Sequence, residues 1–354
     1  MPKKFTGRRS RLLHSVVGIA GFGAGLATYS LMRRREEIDL RGKVVFITGG
    51  SRGLGLQLAR EFGTEGCQLV ICARDSDELD RARKDLEARG VPCQAITCDV
   101  SDRAQVDRTV AETIGRFGRI DVLVNNAGVI QVGPLEEMTI ADFETAMGVI
   151  FWGTLYTTLA ALPHMRQRRQ GRIVNITSIG GKVSVPHLVP YSCAKFAAVA
   201  LSEGLRAELA SYGIKVVTIV PGLMRTGSHL NAQFKGAHER EFAWFSVGAA
   251  SPLVSIGAER AARAIVLSAK RGDAENILSL PANLLARLHG ALPELTIPIL
   301  SLMDRFFLPE TPSSPTELKS GEDAKQQLNS RVLNTLNAMG ESAAQNLNEA
   351  PAHS

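Results

Sequence analysis

The chain has 354 residues, 45% of them hydrophobic and 21% charged, so it can bury the core of one large domain or two small ones. Its net charge of +6 comes mainly from residues 1–40, where eight lysines and arginines against three acids contribute 8 − 3 = +5. The remaining +1 excludes a strongly basic surface, and therefore nucleic acid, as the basis of function for the body of the chain.

Residues 12–32 are an apolar run of 21 residues without a formal charge when His14 is neutral. At about 1.5 Å per residue, a helix of that length spans about 31 Å, enough to cross a membrane. Basic residues lie on both sides of the run, so the positive-inside rule leaves its orientation open. We interpret residues 1–40 as an uncleaved, single-pass membrane anchor; a cleaved export signal and a mitochondrial presequence are the alternatives.

From residue 43 onward, short β-branched runs alternate with helical patterns. The predicted strands are residues 44–48, 68–72, 94–98, 120–125, 172–177, 214–220 and 276–280, and the clearest helices are 54–62, 75–88, 141–166 and 191–212. Such alternation indicates βαβ units, hence an α/β fold with a doubly wound parallel sheet of about seven strands, the Rossmann fold.

The remaining segments follow from composition. We expect one catalytic domain over residues 41–280. Residues 281–308 are apolar and interrupted by Pro293 and Pro298, which predicts an extension of short helices. Residues 309–354 are polar and rich in Gln and Asn, which predicts a disordered tail.

A glycine-rich turn joins the first predicted strand to the first helix, with the sequence Thr48-Gly49-Gly50-Ser51-Arg52-Gly53-Leu54-Gly55. Glycine lets the backbone turn tightly and approach a phosphate closely, while the helix presents free N–H groups and the positive end of its dipole. Because strand, spacing and helix agree, the turn predicts a site for a dinucleotide pyrophosphate.

Further motifs follow the later strands, where open parallel sheets bind their ligands. In chain order they are Cys98-Asp99-Val100, Asn125-Asn126-Ala127-Gly128, Ser178, Tyr191-x-x-x-Lys195 and Pro221-Gly222-x-x-x-Thr226. Tyr191 and Lys195 are four residues apart, so their side chains share one face of a helix. An ammonium group beside a phenol favours the phenolate, and together with the positive charge of an oxidised cofactor it would lower the pKa of Tyr191.

With these motifs, residues 41–280 resemble the short-chain dehydrogenase/reductase family. The resemblance implies an oxidoreductase that interconverts a carbonyl and an alcohol, without a metal. Its catalytic residues would be Ser178, which holds the substrate oxygen, Tyr191, which is the acid and base, and Lys195, which also binds the nicotinamide ribose. The implied cofactor-binding residues are Gly49, Ser51, Arg52, Gly53, Leu54, Gly55, Arg74, Asp99, Val100, Asn126, Ala127, Gly128, Tyr191, Lys195, Pro221, Gly222 and Thr226.

The end of the second predicted strand indicates which dinucleotide is preferred. Enzymes that use NAD usually place a carboxylate there for the ribose hydroxyls, whereas this chain has Ala73 followed by Arg74, with Arg52 nearby in the glycine loop. Two guanidinium groups suit a 2′-phosphate, so we predict NADP(H) over NAD(H), unless Asp75 is the ribose carboxylate. Dependence on NADP(H) favours the cytoplasmic side of a membrane for the domain.

One position departs from the family pattern. Where many members carry an asparagine that holds a water for proton relay, this chain has Ile150, in the sequence Val149-Ile150-Phe151-Trp152-Gly153. The relay therefore needs another route, such as main-chain carbonyls. The missing asparagine is also compatible with an alternative function, a cofactor-binding sensor or scaffold of low activity.

The substrate is indicated only indirectly. Residues 223–253 lie where the family has its variable substrate loop, and their aromatic residues Phe234, Phe242, Trp244 and Phe245 indicate either an apolar lid or ordinary packing. The apolar residues of 281–308 could cover the substrate mouth, contact a second subunit or lie on a membrane. We expect a lipophilic carbonyl or alcohol, such as a lipid, retinoid or steroid. The resemblance also implies a homodimer or homotetramer.

The five cysteines, Cys67, Cys72, Cys93, Cys98 and Cys193, contain no C-x-x-C pair, which argues against a zinc site. An odd number placed mostly in apolar runs predicts buried thiols in a reducing compartment. Cys193 stands apart because it lies between the two proposed catalytic residues.

Overall fold

A computed structural model describes residues 37–251, 255–312, 316–327 and 343–349. The predicted membrane segment, residues 12–32, lies outside the described residues. Residues just before the predicted start of the domain at residue 41 also pack on it: Leu40 is fully buried in the core, and the Ile38 N–H donates to the Lys270 carbonyl at 3.1 Å.

Seven strands form one parallel sheet in the order β3-β2-β1-β4-β6-β7-β11. The strands of the structure are β1 (Val44–Thr48), β2 (Gln68–Ala73), β3 (Cys93–Thr97), β4 (Val122–Asn125), β5 (Gln131–Val132), β6 (Gly171–Ile176), β7 (Ile214–Val220), β8 (Leu223–Arg225), β9 (Gln233–Phe234), β10 (Ser255–Gly257), β11 (Glu275–Ile277) and β12 (Lys319–Ser320). Residues of β1, β4 and β6 are buried throughout, as expected for strands covered on both faces. The predicted seven-stranded α/β fold is confirmed.

Helices cover both faces of this sheet. The helices that the structure describes are α1 (Gly53–Thr64), α2 (Ser76–Ala88), α3 (Arg103–Phe117), α4 (Ile140–Met147), α5 (Gly153–Arg168), α6 (Val189–Leu209), α7 (His238–Ala250), α8 (Ala258–Arg271), α9 (Leu280–Ala291), α10 (Pro293–Phe307) and α11 (Gly321–Gln327). Leu56, Leu69 and Ile265 belong to one apolar layer, and Phe46 and Met165 belong to the other. The chain order reverses between β1 and β4, which places a crevice at their carboxyl ends.

The predicted helix at 141–166 is interrupted by a π-helical turn, Gly148–Trp152, between α4 and α5. Within the part of the chain that the structure describes, Ile140–Arg168 is the one helix long and apolar enough to span a membrane, and 44% of its most apolar stretch is buried. Since α4 packs on α6 and α5 packs on α3, it is a core helix of the domain.

The part of the chain after residue 280 differs from the sequence prediction in two respects. Pro298 does not interrupt its segment but lies inside the 15-residue helix α10, which begins at Pro293. The tail predicted to be disordered contains β12, which pairs antiparallel with β9, and α11. Residues 343–349 also pack on the domain, with Leu347 only 4% exposed. Disorder is therefore the wrong prediction for residues 316–327 and 343–349.

Candidate active site

Ser178, Tyr191 and Lys195 come together at the carboxyl edge of the sheet. Ser178 directly follows Thr177 after β6, and Tyr191 and Lys195 lie in the first two turns of α6. The Ser178 hydroxyl hydrogen-bonds the Tyr191 phenol and accepts the Gly180 N–H at 3.0 Å. The Lys195 ammonium lies 5.6 Å from the centre of the Tyr191 ring. The spacing of four residues does bring both side chains to one place.

Burial controls the titration of both groups when no cofactor is bound. It raises the pKa of Tyr191, and the hydrogen bond from Ser178 opposes that rise only in part. Burial also lowers the pKa of Lys195 to about 8, because a desolvated ammonium loses its hydration. Among the neighbouring groups, Ser178 is the one that lowers the pKa of Tyr191, so a net lowering would need the positive charge of the cofactor. A further effect of an oxidised nicotinamide stays a prediction.

Lys195 is held by a main-chain carbonyl. Its Nζ donates to the Ile176 carbonyl oxygen at 2.9 Å, and the residue is 5% exposed. Ile150 is buried in an apolar cluster with Ala146, Ala194 and Ala198 on the flank of α6. Ile150, at the position of the family asparagine, therefore has a packing role. The Lys195 ammonium is instead held by the Ile176 carbonyl at the end of β6.

The glycine loop needs its glycines for close backbone contacts. Gly49 has φ +62°, and a Cβ there would lie 2.9 Å from the Ala127 Cα. A Cβ on Gly55 would lie 1.9 Å from the Gly49 carbonyl oxygen. The Asn126 amide donates to the carbonyls of Thr48 and Gly49 at 3.0 Å each, which ties the end of β4 to the loop. These contacts leave a narrow, backbone-lined cradle.

One cleft of about 630 Å³ joins the glycine loop to Tyr191 and Lys195. Most of the predicted cofactor residues line it, namely Gly49, Ser51, Arg52, Leu54, Gly55, Arg74, Asp99, Val100, Asn126, Ala127, Gly128, Tyr191, Lys195 and Thr226. Gly53, Ser178, Pro221 and Gly222 lie beside the cleft rather than on its wall. Gly53 is covered by Glu349, whose Oε1 lies 2.2 Å from the position of a Cβ at that glycine.

The cleft also contains residues that are not among the cofactor-binding residues implied by the family resemblance. These are Ala73, Asp75, Glu78, Cys98, Val129, Ile130, Val149, Ile176, Thr177, Met224, Ser228 and Glu349. Several of these residues stand next to a motif at the end of a strand. That position alone could have identified them as part of the cleft. Glu349 had no such signal, because it stands in a polar tail almost 300 residues from the glycine loop.

The two arginines predicted to bind a 2′-phosphate differ in their contacts. Arg52 donates to the Glu78 carboxylate at 2.8 Å and to the Asn231 side-chain oxygen at 2.7 Å, whereas Arg74 is exposed at the cleft. The Asp75 carboxylate accepts the N–H groups of Asp77 and Glu78 at 2.9 and 2.8 Å. It therefore caps the N-terminus of α2.

The aromatic residues of the predicted lid form a core of their own. Phe234 and Phe242 are fully buried and Phe245 is 6% exposed, and they pack with Val132 and Leu188. None of these three phenylalanines, nor Trp244, lines the cleft. The alternative of ordinary packing is therefore correct for these residues.

All five cysteines are free, and Cys193 is exposed on α6. Among the described residues, no group of three or more His, Cys, Asp or Glu side chains could hold a metal ion.

Comparison with known proteins assigns the family. The model for the short chain dehydrogenase family matches residues 43–234. A dehydrogenase/reductase SDR family protein 7-like from Anopheles gambiae is 39% identical over 242 residues, which cover 67% of this chain and 76% of that protein.

Two solved structures share the fold. A short chain dehydrogenase/reductase from Burkholderia phymatum in complex with NAD is 25% identical, with a TM-score of 0.66 over 73% of this chain and 96% of its own. An actinorhodin polyketide ketoreductase with NADPH is 29% identical, with a TM-score of 0.60 over 68% of this chain and 95% of its own. On this evidence the chain belongs to the short-chain dehydrogenase/reductase family of alcohol and carbonyl oxidoreductases.

Proposed function

We propose that this enzyme uses NADP(H) to interconvert a carbonyl and an alcohol on a lipophilic small molecule, with Tyr191 as the acid and base. The observation that carries the proposal is one continuous cleft, with a glycine cradle at one end and Tyr191 and Lys195 at the other. The cradle suits a pyrophosphate because no side chain fits at Gly49 or Gly55, where a Cβ would meet neighbouring backbone atoms, so the main chain of the loop can approach a ligand closely.

The proposed roles follow from the chemistry of each side chain. A dinucleotide held in this cleft would supply the hydride for reduction of the carbonyl carbon. The Tyr191 hydroxyl transfers its proton to the substrate oxygen, and the Ser178 hydroxyl orients that oxygen. Lys195, with its pKa lowered to about 8, can lose and regain a proton near neutral pH. In oxidation Tyr191 accepts the proton instead.

The test of this function is oxidation of NADPH with a panel of lipophilic aldehydes and ketones. Turnover of at least one class of substrate is expected. A chain that binds NADPH but turns over nothing across a broad panel would favour the alternative, a sensor or scaffold, because Ser178, Tyr191 and Lys195 would then serve binding only.

The preference for NADP(H) is proposed from Arg74 and from the role of Asp75. Arg74 is exposed at the cleft, where its guanidinium is available to a phosphate. The Asp75 carboxylate is engaged at the start of α2 and is thereby less available to ribose hydroxyls. We expect Arg74→Glu to raise the KM for NADPH about tenfold or more, with a much smaller change for NADH, since a charge-assisted contact contributes about 1.5–3 kcal/mol.

A matched control for that measurement is Arg108→Glu, which makes the same charge change on an exposed position of α3. The control should leave both KM values unchanged. Equal effects of Arg74→Glu on NADPH and NADH would contradict the assignment.

We propose that the chain is anchored in a membrane by residues 12–32 and that its apolar helices α9 and α10 face the same lipid. Leu280, Leu284, Phe306 and Phe307 are between 66% and 83% exposed, which is unusual for so many large apolar side chains on a soluble surface. The start of α9 lies near the proposed nicotinamide end of the site, because a Cβ on Gly222 would lie 2.8 Å from the Ser279 Oγ and 3.1 Å from the Ala282 Cβ. A lipophilic substrate could reach the site from such a surface.

Deletion of residues 2–35 tests the anchor and spares Ile38 and Leu40, which pack on the domain. The full chain should stay in the membrane fraction at high salt and be released only by detergent. The shortened chain should become extractable by salt, and Phe306→Ser with Phe307→Ser should weaken its residual binding further. Equal solubility of the full and shortened chains would overturn the anchor.

We propose a homodimer or homotetramer formed through the outer faces of α5 and α6. Three large apolar side chains are exposed there: Trp152, just before α5, is 44% exposed, Leu159 on α5 is 47% exposed, and Phe196 on α6 is 41% exposed. Their exposure supports an apolar contact between subunits. Light scattering of the chain lacking residues 2–35 should give a multiple of the monomer mass; a monomer would contradict the proposal.

A further inference from the structure

The C-terminal segment, residues 343–349, packs across the glycine loop. The Gly53 N–H, at the first position of α1, donates to the Leu347 carbonyl at 2.8 Å. The Asn348 side-chain amide donates to the carbonyls of Ser51 and Glu78 at 2.9 and 3.1 Å. The segment therefore uses a main-chain group at the helix N-terminus that faces the predicted pyrophosphate site.

The Glu349 carboxylate is inserted beside the loop. Its Oε1 occupies the open side of Gly53, 2.2 Å from where a Cβ would be. Its Oε2 accepts the Asn231 amide at 2.6 Å and lies 3.6 Å from the Arg52 Nε. The side chain is 5% exposed, and Glu349 forms part of the wall of the dinucleotide cleft.

These contacts engage the same groups that a dinucleotide needs. The N-terminus of α1 and Arg52 are both predicted phosphate ligands, and both now face a carboxylate of the chain. The Glu349 carboxyl group fills the open side of Gly53 and lies beside Arg52, so it and a phosphate cannot occupy this small site together; when the carboxyl group is ionised, the two anions also repel each other. Binding of the cofactor therefore requires Glu349 to leave.

We propose that residues 343–349 are an intramolecular strap that competes with the dinucleotide for the glycine loop, with the Glu349 carboxylate in the place of a cofactor phosphate. This inference rests on the proposed cofactor site. A strap that is docked about 90% of the time raises the apparent Kd for the cofactor about tenfold, because only the open fraction is competent to bind.

The strap also predicts a dependence on pH. Burial raises the pKa of Glu349 to about 7 and the Glu78 carboxylate adds to the rise, against the opposing effects of Arg52 and Asn231. Docking therefore takes up a proton. Its stability is fully present below the ordinary pKa of 4.5 and is lost as the pH rises through about 7. Cofactor binding should consequently strengthen as the pH rises from about 6 to about 8.

The experiment is titration of the full chain with NADPH and with NADH, followed by the fluorescence of the nicotinamide. We expect Glu349→Ala to lower the Kd for both about tenfold. Gln345→Ala is the matched control, because Gln345 is an exposed residue of the same segment, and it should change nothing. Glu349→Gln should remove the pH dependence that the natural chain has, since the amide does not titrate.

A shortened chain tests the strap as a whole. The chain lacking residues 343–354 should bind NADPH at least as tightly as Glu349→Ala, and a synthetic peptide of residues 343–354 should weaken that binding again. Hydrogen exchange of residues 343–349 in the natural chain should increase when NADPH is added.

The outcomes are distinguishable. Equal Kd values for all forms would overturn the strap while leaving the proposed function intact. Weaker binding by Glu349→Ala and by the shortened chain would also overturn it, because the segment would then complete the cofactor site. Absence of binding in every form, with normal thermal unfolding, would overturn the proposed cofactor and the strap together.

Discussion

Tyr191→Phe will lower kcat about 10²- to 10⁴-fold, the usual contribution of a positioned proton donor. The Kd for NADPH should change little, because the substitution removes only a hydroxyl whose partner is Ser178. The measurement is initial-rate oxidation of NADPH with the best carbonyl from the panel, together with direct titration of the cofactor. A loss confined to kcat identifies Tyr191 as the group that moves the proton.

The control is Tyr212→Phe, which removes a phenol hydroxyl from an exposed ring that lies under the Arg166 guanidinium, 4.5 Å from the ring centroid. Its kcat should equal that of the natural chain. If Tyr191→Phe instead kept more than about a tenth of the activity, the acid would be another group.

Gly55→Ala will damage both stability and cofactor binding. The new methyl group would lie 1.9 Å from the Gly49 carbonyl oxygen and 2.6 Å from the Asn126 amide nitrogen, and a backbone carbonyl cannot swing aside as a side chain can. We expect the free energy of unfolding to fall by about 1–3 kcal/mol. The Kd for NADPH should rise about a hundredfold, which corresponds to about 2.7 kcal/mol.

Gly115→Ala provides the matched comparison. Gly115 lies in α3 with nothing within 4 Å of its Cβ position, so the methyl group meets no neighbour. Alanine should raise the free energy of unfolding by about 0.5–1 kcal/mol and leave the Kd for NADPH unchanged. Chemical denaturation of both variants measures the difference, and equal behaviour of Gly55→Ala and Gly115→Ala would refute the tight packing of the loop.

Most strands of the sheet could be predicted because each is marked by a short run of residues that are neighbours in the sequence. β1 and β7 occur at the predicted bounds, 44–48 and 214–220, since β-branched and apolar residues fill β1 entirely and β7 except for Lys215, with helices or turns on either side. The glycine loop was visible for the same reason: strand, turn and helix follow one another within 21 residues, from the start of β1 to the end of α1.

Features that depend on distant contacts could not be predicted in this way. The spacing of Phe234, Phe242 and Phe245 is the same whether they form a lid or a core. Only the packing of α7 on β9 and α11 distinguishes the two. The polar composition of the C-terminal tail predicted disorder, whereas Leu347 and Glu349 are buried by surfaces formed from the glycine loop and α2.

By itself, the sequence determined the α/β class, the glycine loop and the pairing of Tyr191 with Lys195, because these follow from periodicity and from a spacing of four residues on one helix. Only the tertiary structure decided how those groups titrate and what lies on the loop. Burial raises the pKa of Tyr191, an effect that no sequence spacing indicates, and Glu349 contacts the side of Gly53 across almost the whole chain. Desolvation and long-range contact depend on the complete fold, which no local segment encodes.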